Sequence, residues 1–311
     1  MGRQKLCAMS KSDVIHIYLP DQMQRDAVAG QVNIINRIVA AVAPSGCTLK
    51  IHRQDADQME KAAQRGGHVL FHMMEPLTPR GLTLRRAYHY PFWQIEATAA
   101  RWAFDVARNV FDPAEIDPDM AKSFHHRLRH RVLGPGLTAQ EGFVFMPLQG
   151  RLLQHRSFQS MSPIAMIEAT LAQEQRLPIR ATLHPKESYS PDDLAALENL
   201  EQRFPHFRVV QGDAMALLRG CDYVVTQNSG LALNGFLLRK PAVLFGDIDF
   251  HHIAGSVPRL GLAAAFATAK ADPPDFAAYV YWFFKLNSIN AGAPEAEDQI
   301  MARLQRHGWF K

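Results

Sequence analysis

The chain has 311 residues, 47% of them hydrophobic and 21% charged, and a net charge of +4. That length and apolar share predict two folded domains of roughly 150 residues each and argue against extended disorder. The mild positive charge suits an anionic small ligand or a membrane surface and is too small for a dedicated nucleic-acid binder, so no nucleic-acid partner is expected.

Three cysteines, Cys7, Cys47 and Cys221, have neither disulfide nor metal-ligand spacing, which predicts a reducing, cytoplasmic compartment. No apolar run reaches the length of a membrane span. The first residues, MGRQKLCAMSKSD, lack the apolar core of a leader, and Leu6 stands where a myristoylated Gly2 would want Ser or Thr.

In chain order, VIHIYL (14–19) reads as a first buried strand. A helix is predicted through DQMQRDAVAGQVNIINRIVAAV, with apolar residues at Val28, Val32, Ile35, Ile38, Val39 and Val42. A strand at 48–52, a short helix at 59–65 and a strand at 68–73 complete a β-α-β-α-β alternation, the pattern of a parallel Rossmann-like half. The first βα turn, Leu19-Pro20-Asp21, has no glycine fingerprint, so NAD is not expected. Arg85, Arg86, Tyr88, His89, Tyr90, Phe92 and Trp93 then form a basic and aromatic cluster ahead of a helix predicted from about Gln94 to Val110. Aromatic faces with two arginines suit an anionic sugar acceptor or serve equally as interdomain packing. Glu96, one helical turn from Trp93, is the candidate catalytic carboxylate of this half, with Glu75 second. SFHHRLRHR (123–131) reads as the basic face of a linker helix, and a peripheral membrane association is the alternative. Gly134–Gly142 is the expected boundary.

The second half opens with strand FVFMP (143–147), followed by a loop bearing Gln149, Gln154, His155, Arg156 and Ser157. A strand near 178–183 ends at His184, Pro185, Lys186 and Glu187. A second βα unit follows: strand 223–226, the loop Gln227–Gly230 with Asn228 and Ser229, helix 231–238, and strand 242–245. Free N–H groups and the dipole at that helix start favour an anion, Ser229 adds a hydroxyl, and Gly230 admits close approach. His184 and Lys186, leaving what reads as the neighbouring strand, add charge-assisted donors. Either motif alone is equally an ordinary helix cap or turn proline; in adjacent units they predict a phosphate site. Asp247 and Asp249 follow the last strand, and Asp247 is read as a donor contact. No metal is expected. The apolar FAAYVYWFFKL (276–286) is predicted to be a buried helix.

The order PLQ (Pro147, Leu148, Gln149), then Ser157, Phe158 and Met161, then His184-Pro185, Asn228-Ser229, Lys240-Pro241 and Gly246 resembles the capsule polysaccharide biosynthesis family, the bacterial Kdo transferases of capsule export. The resemblance covers about the C-terminal half. It implies an α/β chain of two Rossmann-like domains facing a cleft, the GT-B arrangement. It also implies a CMP-activated sugar donor whose phosphate is held by a His and a Ser, here His184 and Ser229. Two positions depart from it. Gly150-Arg151 stands where an acidic residue tends to follow PLQ, and Asn234 stands where a Glu tends to follow the NS motif.

The expectation is an acceptor-side domain at 1–135, a nucleotide-sugar domain at 136–290 and a C-terminal helix, 291–311, packing back on the first domain. The function expected is a glycosyltransferase using a CMP-activated acidic sugar, CMP-Kdo among them, in capsule or surface polysaccharide synthesis. Its partners would be a nucleotide-sugar donor and a glycan or glycolipid acceptor, with no cofactor beyond the donor. The rivals are an inactive GT-B-like partner of a capsule complex, which Arg151 and Asn234 favour, and a UDP-sugar enzyme of the same fold.

Overall fold

The computed structural model describes residues 14–310; the readings made at Gly2 and Cys7 lie outside them. The chain forms two compact units. One runs to Asp105 and resumes at Phe284, and the other is Val106–Phe283.

Unit 1 begins β1 (Val14–Leu19), α1 (Asp21–Val28), α2 (Asn33–Val42), β2 (Thr48–Arg53), α3 (Ala56–Ala62), β3 (His68–His72), β4 (Gly81–Arg86) and β5 (Phe92–Glu96). The single helix expected over 21–42 is two helices. Gly30 breaks it with a φ of +71°, a conformation that suits glycine far better than its neighbours. α2 buries Ile34, Ile35, Ile38, Ala41 and Val42 in a core with Ile15, Ile17, Leu82, Leu84 and Ile95.

The helix expected from Gln94 is also overturned. Phe92–Glu96 is a strand, paired antiparallel with β4 (Arg86↔Trp93, Thr83↔Glu96). Aromatic and branched Phe92, Trp93 and Ile95 suit a half-buried sheet, and the Gln94 amide donates to the Asn287 carbonyl at 2.8 Å. The helix-forming alanines that follow yield only turns and α4 (Asp105–Arg108).

Unit 2 contains α5 (Pro118–Leu133), β6 (Val144–Pro147), α6 (Pro163–Gln173), β7 (Ile179–Thr182), α7 (Pro191–Arg203), β8 (Phe207–Val209), α8 (Ala214–Gly220), β9 (Tyr223–Thr226), α9 (Gly230–Leu237), β10 (Ala242–Leu244), β11 (Gly255–Ser256), α10 (Val257–Leu260), α11 (Leu262–Lys270) and α12 (Phe276–Tyr281). The Asp117 side chain caps α5 through the Asp119 and Met120 N–H groups. α5 belongs to this unit, ahead of the Gly134–Gly142 segment, because its inner face packs there. His125 Nε2 lies 3.3 Å from the Phe236 carbonyl, and Phe124 meets Tyr281 edge-on. Lys240, 2% exposed, donates its ammonium to the carbonyls of Ala139 and Cys221. The Lys-Pro motif thus clamps the segment leading into the sheet.

After a wide turn at Trp282–Leu286, the chain re-enters unit 1 as β12 (Ile289–Asn290) and α13 (Ala296–Arg306). β12 closes the unit 1 sheet against β5. No single described helix is long and apolar enough to cross a membrane.

The sheet orders place the ligand edges. Unit 1 runs β12-β5-β4-β3-β1-β2 and unit 2 runs β11-β10-β9-β6-β7-β8. In unit 2 every pairing is parallel. The chain steps from β6 outward to β7 and β8, then crosses back to β9, so the order reverses between β6 and β9. Ligands of open α/β sheets bind outside the carboxyl ends at such a reversal. In unit 1 the reversal falls between β1 and β3.

Candidate functional site

The expected neighbour relation between the His184 and Ser229 strands is corrected by this topology. β6 lies between β7 and β9, so the two loops leave the same edge but stand roughly 10 Å apart, two strand spacings. The loop after β6, which carries Gln149, emerges between them. All parallel strands deliver their following loops to one edge, so the PLQ, His-Pro and Asn-Ser motifs converge there, and the PLQ and Asn-Ser loops flank the reversal itself.

The start of α9 presents hydrogen-bond donors. Ser229 is the N-cap, and its hydroxyl oxygen accepts the Leu231 N–H at 3.3 Å, while its carbonyl accepts from Ala232 at 3.0 Å. The first N–H groups of a helix have no intrahelical acceptor, and the Gly230 N–H is one such donor here, beside the Ser229 hydroxyl proton. The Asn228 amide turns instead to the Asp247 carbonyl at 3.3 Å. Asn228 therefore ties the β9 loop to the β10 loop through its amide, and Asp247 contributes its backbone to that tie.

On the His-Pro loop, the His184 N–H donates to the Tyr189 hydroxyl at 2.7 Å, and His184 Nδ1 accepts from the Lys186 N–H at 3.2 Å. With Nδ1 accepting, Nε2 is the ring nitrogen left to donate. Pro185 fixes the turn between them. His184, Lys186 and Glu187 are exposed. The Glu187 carboxylate lies against Gly150, where any β-carbon would collide with it.

The loop after β6 is a strap across the end of β9. Ser160 N donates to Phe245 O and Asp247 N to Phe158 O, each at 2.8 Å, and Gln159 bridges to Gly246. Gln227 Nε2 donates to Met161 O at 3.1 Å. Under and along this strap sit buried polar atoms with no hydrogen-bond partner: Gln149 Oε1, Gln159 Nε2, Gln227 Oε1, and Arg156 Nε and Nη2. Each costs about 1–3 kcal/mol if left unmet, and such groups in folded proteins are normally met by a protein group, a water or a ligand. The Asn234 Oδ1 atom, inside α9, is unpartnered as well.

In unit 1, strand alternation splits the cluster predicted around Trp93. The Arg86 guanidinium stacks 5.6 Å from the Trp93 ring. Together with His72, Tyr90 and Pro20 these side chains line a cavity of about 600 Å³ at the carboxyl ends of β1, β3 and β4. Burial, then Arg86 and Arg85, hold His72 down to about 4, so its ring is neutral there. Trp93 Nε1 is buried without a partner. Arg85 leans away to the Met73 carbonyl at 3.3 Å, and His89 packs on Phe284.

Glu96 does not have the setting expected of a catalytic base. It is 1% exposed, and both its oxygens accept the Asp105 N–H at 3.2 Å. Arg303 Nη1 sits 3.5 Å from Glu96 and 3.2 Å from Asp105. Glu96, Asp105 and His307 could group around a cation by distance, but the Arg303 guanidinium already supplies the positive charge between the two carboxylates. The cluster anchors α13 to the unit 1 sheet. Glu75 is likewise engaged, accepting the Ala99 N–H at 2.7 Å. Asp249 is fully buried, and His252 is held down to about 3 by burial and then His251, stacked on its neighbour within unit 2.

A cavity of about 430 Å³ in unit 2, lined by Glu174, Arg176, Tyr223, Arg239 and Lys270, lies at the amino ends of β7, β9 and β10, opposite the motif loops.

No protein-family model matches the sequence, and neither does any curated protein. Among solved structures, the β-Kdo 2,7 transferase of Thermosulfurimonas dismutans KpsC aligns over 94% of this chain and 98% of its own, at 13% identity and a TM-score of 0.50. The two chains share a fold, here an α/β chain with two sheets rich in parallel pairing. The β-Kdo 2,4 transferase of the same KpsC aligns over 86% of this chain and 88% of its own at 10% identity and a TM-score of 0.46. MnaA of S. aureus with UDP aligns over 95% and 96% at 10% identity and 0.36.

Proposed function

We propose that this protein is a glycosyltransferase that binds a nucleotide-sugar at the unit 2 edge and uses a CMP-linked acidic sugar, Kdo being the leading case, to extend a capsule or surface glycan. The observation that carries the reading is the convergence of three loops at one strand-order reversal, with the Gly230 N–H and the Ser229 hydroxyl at the start of α9. The fold shared with a β-Kdo transferase, and the motif order, support the same choice.

In this reading the donor phosphate rests on the start of α9. The Gly230 N–H, the Ser229 hydroxyl and the helix dipole take up the charge that grows on the leaving phosphate. His184 Nε2–H and Lys186 approach from the other side of the β6 loop, and the crevice between the β6 and β9 loops is where nucleotide and sugar meet. Preorganised donors of this kind are typically worth about 10²–10³ in rate each. The unit 1 cavity at Arg86 and Trp93 is the place for a glycan or glycolipid acceptor. Glu96 is left out of the chemistry by its ion pairs.

The second reading, an inactive partner of a capsule complex, draws on Arg151 and Asn234 standing where acids are expected. Incubation with CMP-Kdo and a Kdo-terminated acceptor, read by mass spectrometry, separates the two. A product one Kdo heavier supports transfer. CMP binding with neither transfer nor donor hydrolysis, in folded protein, supports the partner reading and overturns the enzyme.

A further inference from the structure

Arg156 has a setting that the donor-phosphate scheme does not use. Its guanidinium stacks 4.8 Å from the Phe158 ring, its Nε and Nη2 atoms are buried with no hydrogen-bond partner, and among the described residues no ion pair engages it. Burial, then the nearby charge of Arg151, disfavours its charged form, and Glu187 offsets this in part. An unpaired, partly desolvated cation is costly, and native structures rarely keep one without a partner.

The side chain is also held in place. Arg156 N donates to Gln159 Oε1 at 2.8 Å, and the Gln159 carbonyl takes His155 Nε2 at 2.6 Å. Gln159 bridges to Gly246, whose N–H meets the Gln227 carbonyl at 2.8 Å, one residue before Asn228. Arg156 is thus built into the strap that crosses the mouth of the anion site, at a position separate from the Gly230 N–H. Arg151, with a φ of +61°, stands earlier on the same loop, and Lys186 on the loop after β7. Glu187 is the acidic side chain coupled to Arg156 there, and it rests against Gly150.

We propose that Arg156 is the specificity residue that receives a second negative group of the donor, distinct from the phosphate seated on α9. The group is a carboxylate on the sugar or a second phosphate, because a guanidinium recognises both by the same forked hydrogen bonds. The inference rests on the nucleotide reading of the unit 2 edge. It also accounts for a cationic loop where Gly150-Arg151 departs from the acidic pattern.

The test is calorimetric titration of the full chain with CMP, with CDP and with CMP-N-acetylneuraminate, which carries a sugar carboxylate. Wild-type protein should bind CDP or the CMP-sugar about ten- to a hundredfold more tightly than CMP, the gain expected of one charge-assisted contact. Whichever ligand shows the gain identifies the source of the second charge. Arg156→Ala should abolish the gain and leave CMP affinity within about twofold, and Arg156→Lys should keep part of it. Should Arg156→Ala fold poorly, Arg156→Gln carries the same comparison. A gain that survives Arg156→Ala, or a loss that falls equally on CMP, overturns the assignment. CMP binding with no gain from either added charge overturns this inference alone, whereas no binding of any of the three overturns the nucleotide reading beneath it.

Discussion

Glu96→Gln distinguishes an architectural carboxylate from a chemical one. In the native protein Glu96 accepts the Asp105 N–H at 3.2 Å and faces Arg303 at 3.5 Å, almost out of water. Breaking a buried ion pair by removing one partner costs about 3–5 kcal/mol. Glutamine keeps an acceptor for the Asp105 N–H, and Arg303 keeps Asp105 at 3.2 Å and the Asn287 carbonyl at 2.7 Å. The expected loss is therefore at the lower end, about 3 kcal/mol. For a unit of this size that lowers the melting temperature by roughly 6–12 °C, at about 2–4 °C per kcal/mol. Calorimetric scans of both proteins, followed by donor turnover well below the mutant's transition, are the assay. A lower melting temperature with turnover within about threefold of wild type fits the structure. An unchanged melting temperature with turnover down a thousandfold would refute it and restore Glu96 as a base.

Other outcomes follow from the same geometry. Ser229→Ala should lower turnover by about 10²-fold and more than Ser157→Ala does, in a steady-state assay. Gly255→Ala should destabilise unit 2 by several kcal/mol, because the added methyl falls on the Ala265 carbonyl in the packed backbone of α11; a melt like that of wild type would contradict the packing. His52 is held down to about 4 and His252 to about 3, in both cases by burial first. Each ring is neutral when folded and takes up a proton on unfolding. Their contribution is therefore complete above about pH 6.5 and shrinks as the pH falls toward 4, by about 1–2 kcal/mol after allowance for solvent access. Melting curves from pH 7.5 to 4.5 should show that decline, and His252→Asn should flatten it.

Much of this architecture is legible in the residues. The branched run at Val14–Leu19 and the capped, periodic helices near 118–133 and 191–203 behave as local preference directs. The Asn-Ser helix start forms where the sequence puts it, because Ser229 caps it locally. Phe92–Glu96 was misread because the alanines after it favour a helix, while the strand exists only by pairing with β4 and with β12, almost two hundred residues away. The same non-local closure gives Glu96 its ion-pair partner: Arg303 lies on α13. Strand order is also invisible to periodicity, so β6 between β7 and β9 appeared only in three dimensions. Arg156 was in view as a loop residue, but its lack of a partner is a property of the folded strap.

A crystal soaked with CMP tests the central claim most directly. The phosphate should appear against the Gly230 N–H and the Ser229 hydroxyl, in the crevice between the β6 and β9 loops, with His184 Nε2 turned toward it. Nucleotide density at the unit 1 cavity or at the amino edge of unit 2, with the α9 start bare, would contradict it.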